Sequence, residues 1–175
     1  MQGQLKCIWQ GRYAGCNVDV RKVKPEDIEQ IKLILDRNFD EIISKHHSKA
    51  AVDKFKSNNS LESLLSQLNW KIIYAAEEKG KIIGTGAFAN FGSVDMPKYS
   101  VSNLYVLPEW HYKGVGRILF NKLLEEAKAR NADRLYVPSS KNAVGFYEKM
   151  GFSVDCGQKR EKDDEIIWMT QRVFS

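Results

Sequence analysis

The stretch 102–117, which reads SNLYVLPEWHYKGVGR, constrains the fold more than any other part of the chain. Its apolar start predicts a strand over 99–107 that ends at Pro108, because proline has no backbone N–H to give to a sheet. Two glycines then open a predicted helix over 114–130. The apolar residues of that helix recur at the spacing of one face: Val115, Ile118, Leu119, Leu123 and Ala127. The chain is therefore predicted to pass from strand to loop to helix without a linker.

The glycines at the start of this helix favour an anion site. Gly114 and Gly116 carry no β-carbon, so a phosphate can approach their backbone N–H groups at the positive end of the helix dipole. Lys113 and Arg117 add positive charge at the rim. Simple turn chemistry explains the same glycines. A dinucleotide loop is disfavoured because Leu119 stands where a third glycine is needed, and a nucleotide P-loop is excluded by the lack of Gly-Lys-Ser/Thr.

The remaining pattern predicts a mixed sheet with helices around it. The predicted strands are 18–23, 72–77, 82–91, 135–137, 152–156 and 166–173, and the predicted helices are 25–44, about 48–69 and 140–150. Within the second of these, a helical stretch over 61–68 follows a polar turn at 57–60, with Ser60 as its N-cap. Hairpins in the first half and a strand, helix, strand unit in the second favour a mixed sheet over a parallel one. The prediction is an α/β (α+β) fold with one domain over 18–175, preceded by an N-terminal extension over 1–17.

The composition of the chain restricts the classes of function that are expected. A length of 175 residues with 43% hydrophobic and 28% charged residues is typical of one globular domain. No apolar run reaches the roughly 18 residues of a membrane span, and no signal peptide is recognisable, so neither a membrane partner nor export is expected. The net charge of +5 is spread along the chain, which argues against a nucleic-acid partner. Cys7, Cys16 and Cys156 form no Cys-x-x-Cys pair, which favours a reducing cytoplasmic location without a disulfide framework.

A second segment, KNAVGFYEKMGF at 141–152, adds specificity to the glycine loop. Together the two segments resemble the GNAT superfamily of acetyl-CoA-dependent N-acyltransferases. The family's pyrophosphate loop falls on 111–116, where His111 takes the place of the usual Arg or Gln. The family's later helix aligns with Asn142, Ala143, Phe146, Tyr147, Gly151 and Phe152. The matching order of elements extends the resemblance over about nine tenths of the chain, and the single GNAT-like domain is the fold it implies.

The resemblance implies acetyl-CoA as co-substrate, no metal, and a set of cofactor-binding residues. Backbone groups of Leu104, Tyr105 and Val106 should pair with the pantetheine arm, and His111, Tyr112, Lys113, Gly114, Val115, Gly116 and Arg117 should surround the pyrophosphate. Asn142 and Phe146 belong to the second motif, with Asn142 expected to hydrogen-bond the pantetheine end and the Tyr147 hydroxyl to lie beside the thioester sulfur.

The chemistry of acyl transfer gives Tyr147 a catalytic role. Attack of an amine on a thioester expels a thiolate with a conjugate-acid pKa near ~8.5, and a phenol with a pKa near ~10 still carries its proton at neutral pH. Tyr147 is therefore the predicted general acid, while the alternative is an ordinary core aromatic. Glu109 and Asp95 are candidate bases, and each is equally explained as a surface carboxylate. The oxyanion donor is expected among the backbone N–H groups near Leu104 to Val106.

The predicted function is transfer of acetyl from acetyl-CoA to a primary amine, on a small molecule or a protein, by direct attack in a ternary complex. Neither motif contains cysteine, so an acyl-enzyme is not indicated. A CoA-binding sensor with the same fold and no turnover is the alternative. The last strand is compatible with the edge of a homodimer.

Three other features receive a plain interpretation. His46 and His47 are predicted at an exposed helix end, because adjacent residues point to different faces of a helix. Trp70, Trp110 and Trp168 could line an acceptor pocket, although Trp168 is equally explained as core or interface. The resemblance to the GNAT superfamily implies that the first two helical segments, 25–44 and about 48–69, form the acceptor side.

Overall fold

Seven strands form one sheet in the computed structural model, which describes residues 17–157 and 165–174. The strands are β1 (Asp19–Lys22), β2 (Lys71–Glu78), β3 (Lys81–Asn90), β4 (Tyr99–Val106), β5 (Arg134–Ser140), β6 (Ser153–Val154) and β7 (Ile166–Arg172). Their order is β1-β2-β3-β4-β5-β7-β6. Only β4 and β5 pair in parallel, and the other neighbours are antiparallel. The predicted mixed sheet is confirmed.

Five helices accompany the sheet in the part of the chain that the structure describes. They are α1 (Ile28–Glu41), α2 (Lys49–Asn58), α3 (Leu61–Gln67), α4 (Val115–Ala129) and α5 (Val144–Lys149). The helix predicted over 48–69 is split in two, because Ser60 is extended and its hydroxyl accepts a hydrogen bond from Ser63 N at 3.2 Å. Ser48 caps α2 in the same way through Ala51 N. The predicted N-cap at Ser60 is therefore confirmed.

The predicted helix over 140–150 begins later than expected. The strand β5 continues to Ser140, because β5 pairs with β7 as far as the Ser140–Ile166 pair. A 3₁₀ turn at Lys141–Ala143 then leads into α5. Gly151 has a φ of +93°, as a residue that ends a helix in the left-handed conformation should.

The two faces of the sheet are covered by different helices. Leu119 and Leu123 of α4 are fully buried against β3 and β4. On the opposite face Phe39 of α1 meets the edge of the Tyr105 ring, with ring centroids 5.4 Å apart. Side chains alternate along a strand, so Leu104 and Val106 point towards α4. The residues of β4 therefore contact both helical layers.

The strand β7 is not a free edge. Val154 pairs with Met169, and Asp155 N donates a hydrogen bond to Trp168 O at 2.8 Å. The edge that the sequence offered for a homodimer is therefore occupied over these residues by β6 and the turn after it. Of the predicted extension over 1–17, all but Asn17 lies outside the described residues, as do Cys7 and Cys16. No helix within 17–157 and 165–174 is long and apolar enough to cross a membrane.

Candidate active site

The strands β4 and β5 diverge towards their C-terminal ends. They pair only at Tyr99–Leu135 and Ser100–Tyr136, although each strand continues for several residues beyond these pairs. We call the gap between residues 101–106 and 137–140 the β4/β5 wedge. Backbone groups in a sheet normally pair, so the wedge is a place where an extended ligand can bind like an added strand.

The register of β4 decides which of its backbone groups face the wedge. Leu107 N donates to Ile83 O at 2.8 Å, and Tyr105 lies opposite Thr85. Hydrogen-bonded pairs alternate along an antiparallel ladder, so the backbone of Tyr105 pairs with β3 while those of Leu104 and Val106 face the wedge. Of the three residues predicted to offer backbone groups to pantetheine, two therefore have the required direction. The Tyr105 side chain instead packs with its ring against Phe39 and lines the cavity described below.

The carbonyl of Val106 is already bound from two sides. Asn38 Nδ2 and His111 Nε2 each lie 2.9 Å from Val106 O. A carbonyl only accepts, so Nε2 of His111 carries the proton in this contact. The prediction that His111 contacts a pyrophosphate is then limited to its other ring nitrogen, Nδ1. The histidine that stands where the family has Arg or Gln therefore has a structural role here, because it hydrogen-bonds the carbonyl of Val106, the last residue of β4.

The loop before α4 presents a row of N–H groups. Gly114 has a φ of +84°, which a residue with a β-carbon rarely adopts, and it is the N-cap of α4. The first helical bond runs from Ile118 N to Gly114 O at 3.1 Å. The N–H groups of Val115, Gly116 and Arg117 therefore precede the helical ladder and lie at the positive end of the dipole. This geometry is the one that an anion site needs, and the anion site indicated by the glycine pattern stays a prediction.

Charged and aromatic residues stand beside this loop. Lys113 Nζ lies 4.8 Å from the centre of the Trp110 ring. Such a contact holds the ammonium group near the loop while leaving its N–H donors for an anion. Tyr112 is fully exposed and has a φ of +60°, so the turn projects it into solvent. Trp110 therefore stands beside the loop that precedes α4.

The two sequence motifs meet at Gly116. A β-carbon added there would lie 3.4 Å from Phe146 Cε2, so the first turn of α4 packs directly against α5. Asn142 lies in the exposed turn just before α5. The residues that the sequence placed around one cofactor are thus brought to one end of the β4/β5 wedge.

Tyr147 is buried next to this junction. Its ring packs edge-on against Phe146 and Phe152, with centroids 5.2 and 5.6 Å away. Burial raises the pKa of the Tyr147 phenol above its ordinary value, and the nearby Tyr105 phenol raises this pKa further. Among the described residues the hydroxyl has no hydrogen-bond partner. The Tyr147 ring is thus packed like an ordinary core aromatic. Its hydroxyl is nevertheless available to a ligand, as the general-acid interpretation requires.

A cavity of about 230 Å³ opens where the wedge meets α2 and α3. Its lining combines apolar and polar side chains with one cation: Ile43, Phe55, Asn58, Asn59, Gln67, Lys71, Ser102, Asn103, Tyr105, Pro138, Ser140 and Ile166. Residues from β4 and β5 line opposite sides of it, and residues between α1 and β2 cover it. Side chains of the first helical segments therefore line this cavity, and their role on the acceptor side stays a prediction.

Neither candidate base lines this cavity. Glu109 is bound by Arg37 at 2.9 Å on the surface, and Asp95 is exposed in the loop after β3. Both have the surroundings of surface carboxylates. Trp70 and Trp168 are also absent from the lining, since Trp70 is largely exposed and Trp168 packs 5.9 Å from Phe91. Sequence reasoning missed Lys71, because a lysine at the start of a strand is usually a surface residue.

The prediction of an exposed histidine pair is wrong for His47. His46 is exposed, but the His47 side chain is fully buried and its Nε2 accepts a hydrogen bond from Lys141 N at 3.1 Å. Nδ1 therefore carries the proton and lies 3.3 Å from Glu165 Oε2. Burial lowers the pKa of His47, and this outweighs the opposing effect of Glu165. The contact spans 94 positions, so no local pattern indicated it.

We expect His47 to make stability depend on pH in a defined direction. The pKa of His47 is lower in the folded than in the unfolded chain. Its contribution to the free energy of unfolding is therefore fully present above about pH 6.5 and decreases as the pH falls below that value. The slope is at most about 1.4 kcal/mol per pH unit for one proton. Urea unfolding at pH 7.5 and 5.5 should show a smaller loss for His47→Gln than for the wild type. Equal losses in the two proteins would remove this assignment.

Comparison with known proteins agrees with the geometry. A family model described as acetyltransferase (GNAT) domain matches residues 43–171. The PaiA N-acetyltransferase of Thermoplasma acidophilum, solved in complex with coenzyme A, is 21% identical, with 89% of this chain and 99% of that chain covered and a TM-score of 0.73. A GCN5-related N-acetyltransferase of Rhodopseudomonas palustris is 20% identical, with 93% and 99% covered and a TM-score of 0.76. An acetyltransferase of Clostridium acetobutylicum, solved with acetyl-CoA, is 22% identical, with 83% and 96% covered and a TM-score of 0.63.

The mixed sheet, the β4/β5 wedge and the glycine loop at its end define an acetyltransferase fold. The family match covers well over half of the chain, so this chain belongs to the GNAT acetyltransferase family. Within the residues that the structure describes there is no group of three or more His, Cys, Asp and Glu side chains placed to hold a metal ion.

Proposed function

We propose that the protein transfers the acetyl group of acetyl-CoA to a primary amine by direct attack in a ternary complex. The observation that carries this proposal is the meeting of three features at the β4/β5 wedge. Outward-facing backbone groups of β4 lead to the N–H groups of α4 that precede the helical ladder, and beside them lies the Tyr147 phenol, which has no hydrogen-bond partner among the described residues. The structures of the Thermoplasma and Clostridium proteins with coenzyme A and acetyl-CoA support a donor site of this kind.

The donor has a natural path along the wedge. The pantetheine arm would extend beside β4 and pair with the backbone of Leu104 and with the N–H of Val106, because the Val106 carbonyl already accepts from Asn38 and His111. The diphosphate would then meet the N–H groups of Val115, Gly116 and Arg117, with Lys113 alongside. Asn142 lies in the turn that directly follows β5, the strand on the other side of the wedge from β4. The thioester would lie near Tyr147, at the boundary with the 230 Å³ cavity.

The acceptor would reach the thioester carbon from that cavity. The neutral amine nitrogen forms the new C–N bond, the carbon–sulfur bond breaks, and the electron pair leaves on sulfur. The Tyr147 hydroxyl would donate a hydrogen bond to this sulfur, because its raised pKa keeps it protonated throughout the physiological range. The amine's extra proton leaves to solvent or to a neighbouring group. Products are an acetylated amine and coenzyme A.

Calorimetric titration with acetyl-CoA tests the donor half of this proposal. We expect saturable binding with one site per chain, and release of free coenzyme A thiol when a reactive amine is added. Absence of binding by the folded protein would overturn the proposed donor. Binding without thiol release for any amine of a broad panel would instead favour a CoA-binding sensor.

A further inference from the structure

Among the described residues, Lys71 is the one charged side chain that lines the 230 Å³ cavity. Its Nζ lies 3.1 Å from Asn103 Oδ1 and 3.3 Å from Ser102 Oγ, both neutral acceptors. The same ammonium group sits 4.8 Å from the centre of the Trp70 ring. No carboxylate of the described residues pairs with it. An ammonium group has thus been drawn into the cavity without a counterion.

A bulge in β4 determines where the Lys71 side chain lies. Asn103 has a φ of +49° and lies where two residues of β4 oppose one residue of β3 in the register. Such a bulge turns side chains out of the regular alternation. Asn103 Nδ2 also donates to Asn59 Oδ1 at 2.8 Å, which connects the bulge to the end of α2. The lysine is therefore held by a hydrogen-bonded network that joins β4 to the end of α2.

We propose that the acceptor amine carries a carboxylate, and that Lys71 binds this carboxylate in the cavity while the amine faces the thioester. This inference rests on the proposed function and adds the class of its acceptor. The cavity is smaller than the roughly 300–1,000 Å³ typical of drug-sized ligands, so the acceptor is small in this part. Apolar contacts with Ile43, Phe55 and Ile166 leave room for an aliphatic or aromatic side chain.

The electrostatics favour an acid over a polyamine. Desolvation lowers the pKa of Lys71 to about 8, and no acid within 17–157 and 165–174 raises it. A bound carboxylate would supply the missing counter-charge and restore the pKa, whereas a polycation would meet like charge. Among the described lining residues there is no Asp or Glu to attract the second amine of a polyamine.

The same lowered pKa allows a rival role, in which neutral Lys71 removes the proton of the acceptor amine. The two roles predict different effects. A binding role acts mainly on the KM of acceptors that carry a carboxylate. A base role acts on the kcat of every acceptor and leaves a rising limb near pH 8 in the rate profile. Tyr105 is the other titratable residue of the lining, and burial raises its pKa to about 12, so it does not titrate in this range.

The experiment compares amines that differ only in their charge. L-leucine and L-phenylalanine are paired with L-leucinamide and L-phenylalaninamide, and spermidine serves as the polycation. Wild type, Lys71→Met and Lys71→Arg are assayed with acetyl-CoA by thiol release. We expect Lys71→Met to raise the KM for the two acids at least tenfold and to leave that for the amides unchanged. Lys71→Arg should retain part of the preference, and thermal unfolding checks that both variants fold.

Several outcomes of the same experiment would contradict the proposal. Equal use of acids and amides by the wild type, a preference for spermidine, or an equal loss of kcat for acids and amides in Lys71→Met would each overturn the proposal. If no amine is turned over, calorimetry with N-acetyl-L-phenylalanine and its amide decides, since only the acid should bind and only to protein with a cation at 71. Acetyl-CoA titration is run on the same samples, so a failure of the donor site is distinguished from a failure of this inference.

Discussion

Gly116→Asp should lose at least a hundredfold in affinity for acetyl-CoA. The substitution places a carboxylate in the first turn of α4, among the N–H groups proposed to hold the diphosphate. A unit charge 4 Å from another at an effective dielectric constant of about 20 contributes about 4 kcal/mol, and about 1.4 kcal/mol is tenfold in affinity. Calorimetric titration measures this loss directly.

Gly116→Asn is the matched control, because asparagine has nearly the same shape without the charge. A β-carbon at this position would lie 3.4 Å from Phe146 Cε2, at the close end of ordinary van der Waals contact, and it would do so equally in both variants. Gly116→Asn should therefore show the steric part of the loss alone. Equal affinities for the two variants would mean that charge at this turn is irrelevant, and the diphosphate would have to bind elsewhere.

The site was predictable where local pattern and local geometry coincide. Glycine at 114 is required by a φ of +84°, and the apolar period of α4 fixes which side of the helix meets the sheet. The meeting of the two motifs through Gly116 and Phe146 follows from the resemblance, not from either segment alone. The mixed sheet followed from hairpins in one half and a crossover in the other.

The unpredicted features depend on contacts between distant segments. His47 is buried because the backbone of Lys141 donates to it, and a short sequence window holds no sign of that partner. Lys71 is drawn inward by Ser102 and Asn103 of another strand, which stand where β4 bulges. A bulge of this kind leaves no characteristic pattern of residue types in the sequence. The cavity that it shapes could therefore not be predicted from the sequence.

Tyr147→Phe should lower kcat by about tenfold to a thousandfold and leave the affinity for acetyl-CoA nearly unchanged. General-acid catalysis by one positioned group contributes roughly 10²- to 10⁴-fold, and water can replace part of it. The phenol's raised pKa lies above that of the thiol, near ~8.5, so complete proton transfer to sulfur is uphill. The hydroxyl therefore acts mainly by hydrogen-bonding the departing thiolate. Steady-state rates with saturating acetyl-CoA measure the change.

The structure makes this substitution unusually interpretable. The Tyr147 hydroxyl has no partner among the described residues, so its removal leaves no broken hydrogen bond, and the ring contacts with Phe146 and Phe152 persist. Tyr99→Phe is the matched control: Tyr99 stacks on Phe88 at the other end of β4, away from the wedge. It should keep the wild-type kcat. Since both variants remove one oxygen from a packed ring, a loss of kcat confined to Tyr147→Phe assigns the effect to the hydroxyl at the thioester, whereas an unchanged rate would leave Tyr147 as a core residue alone.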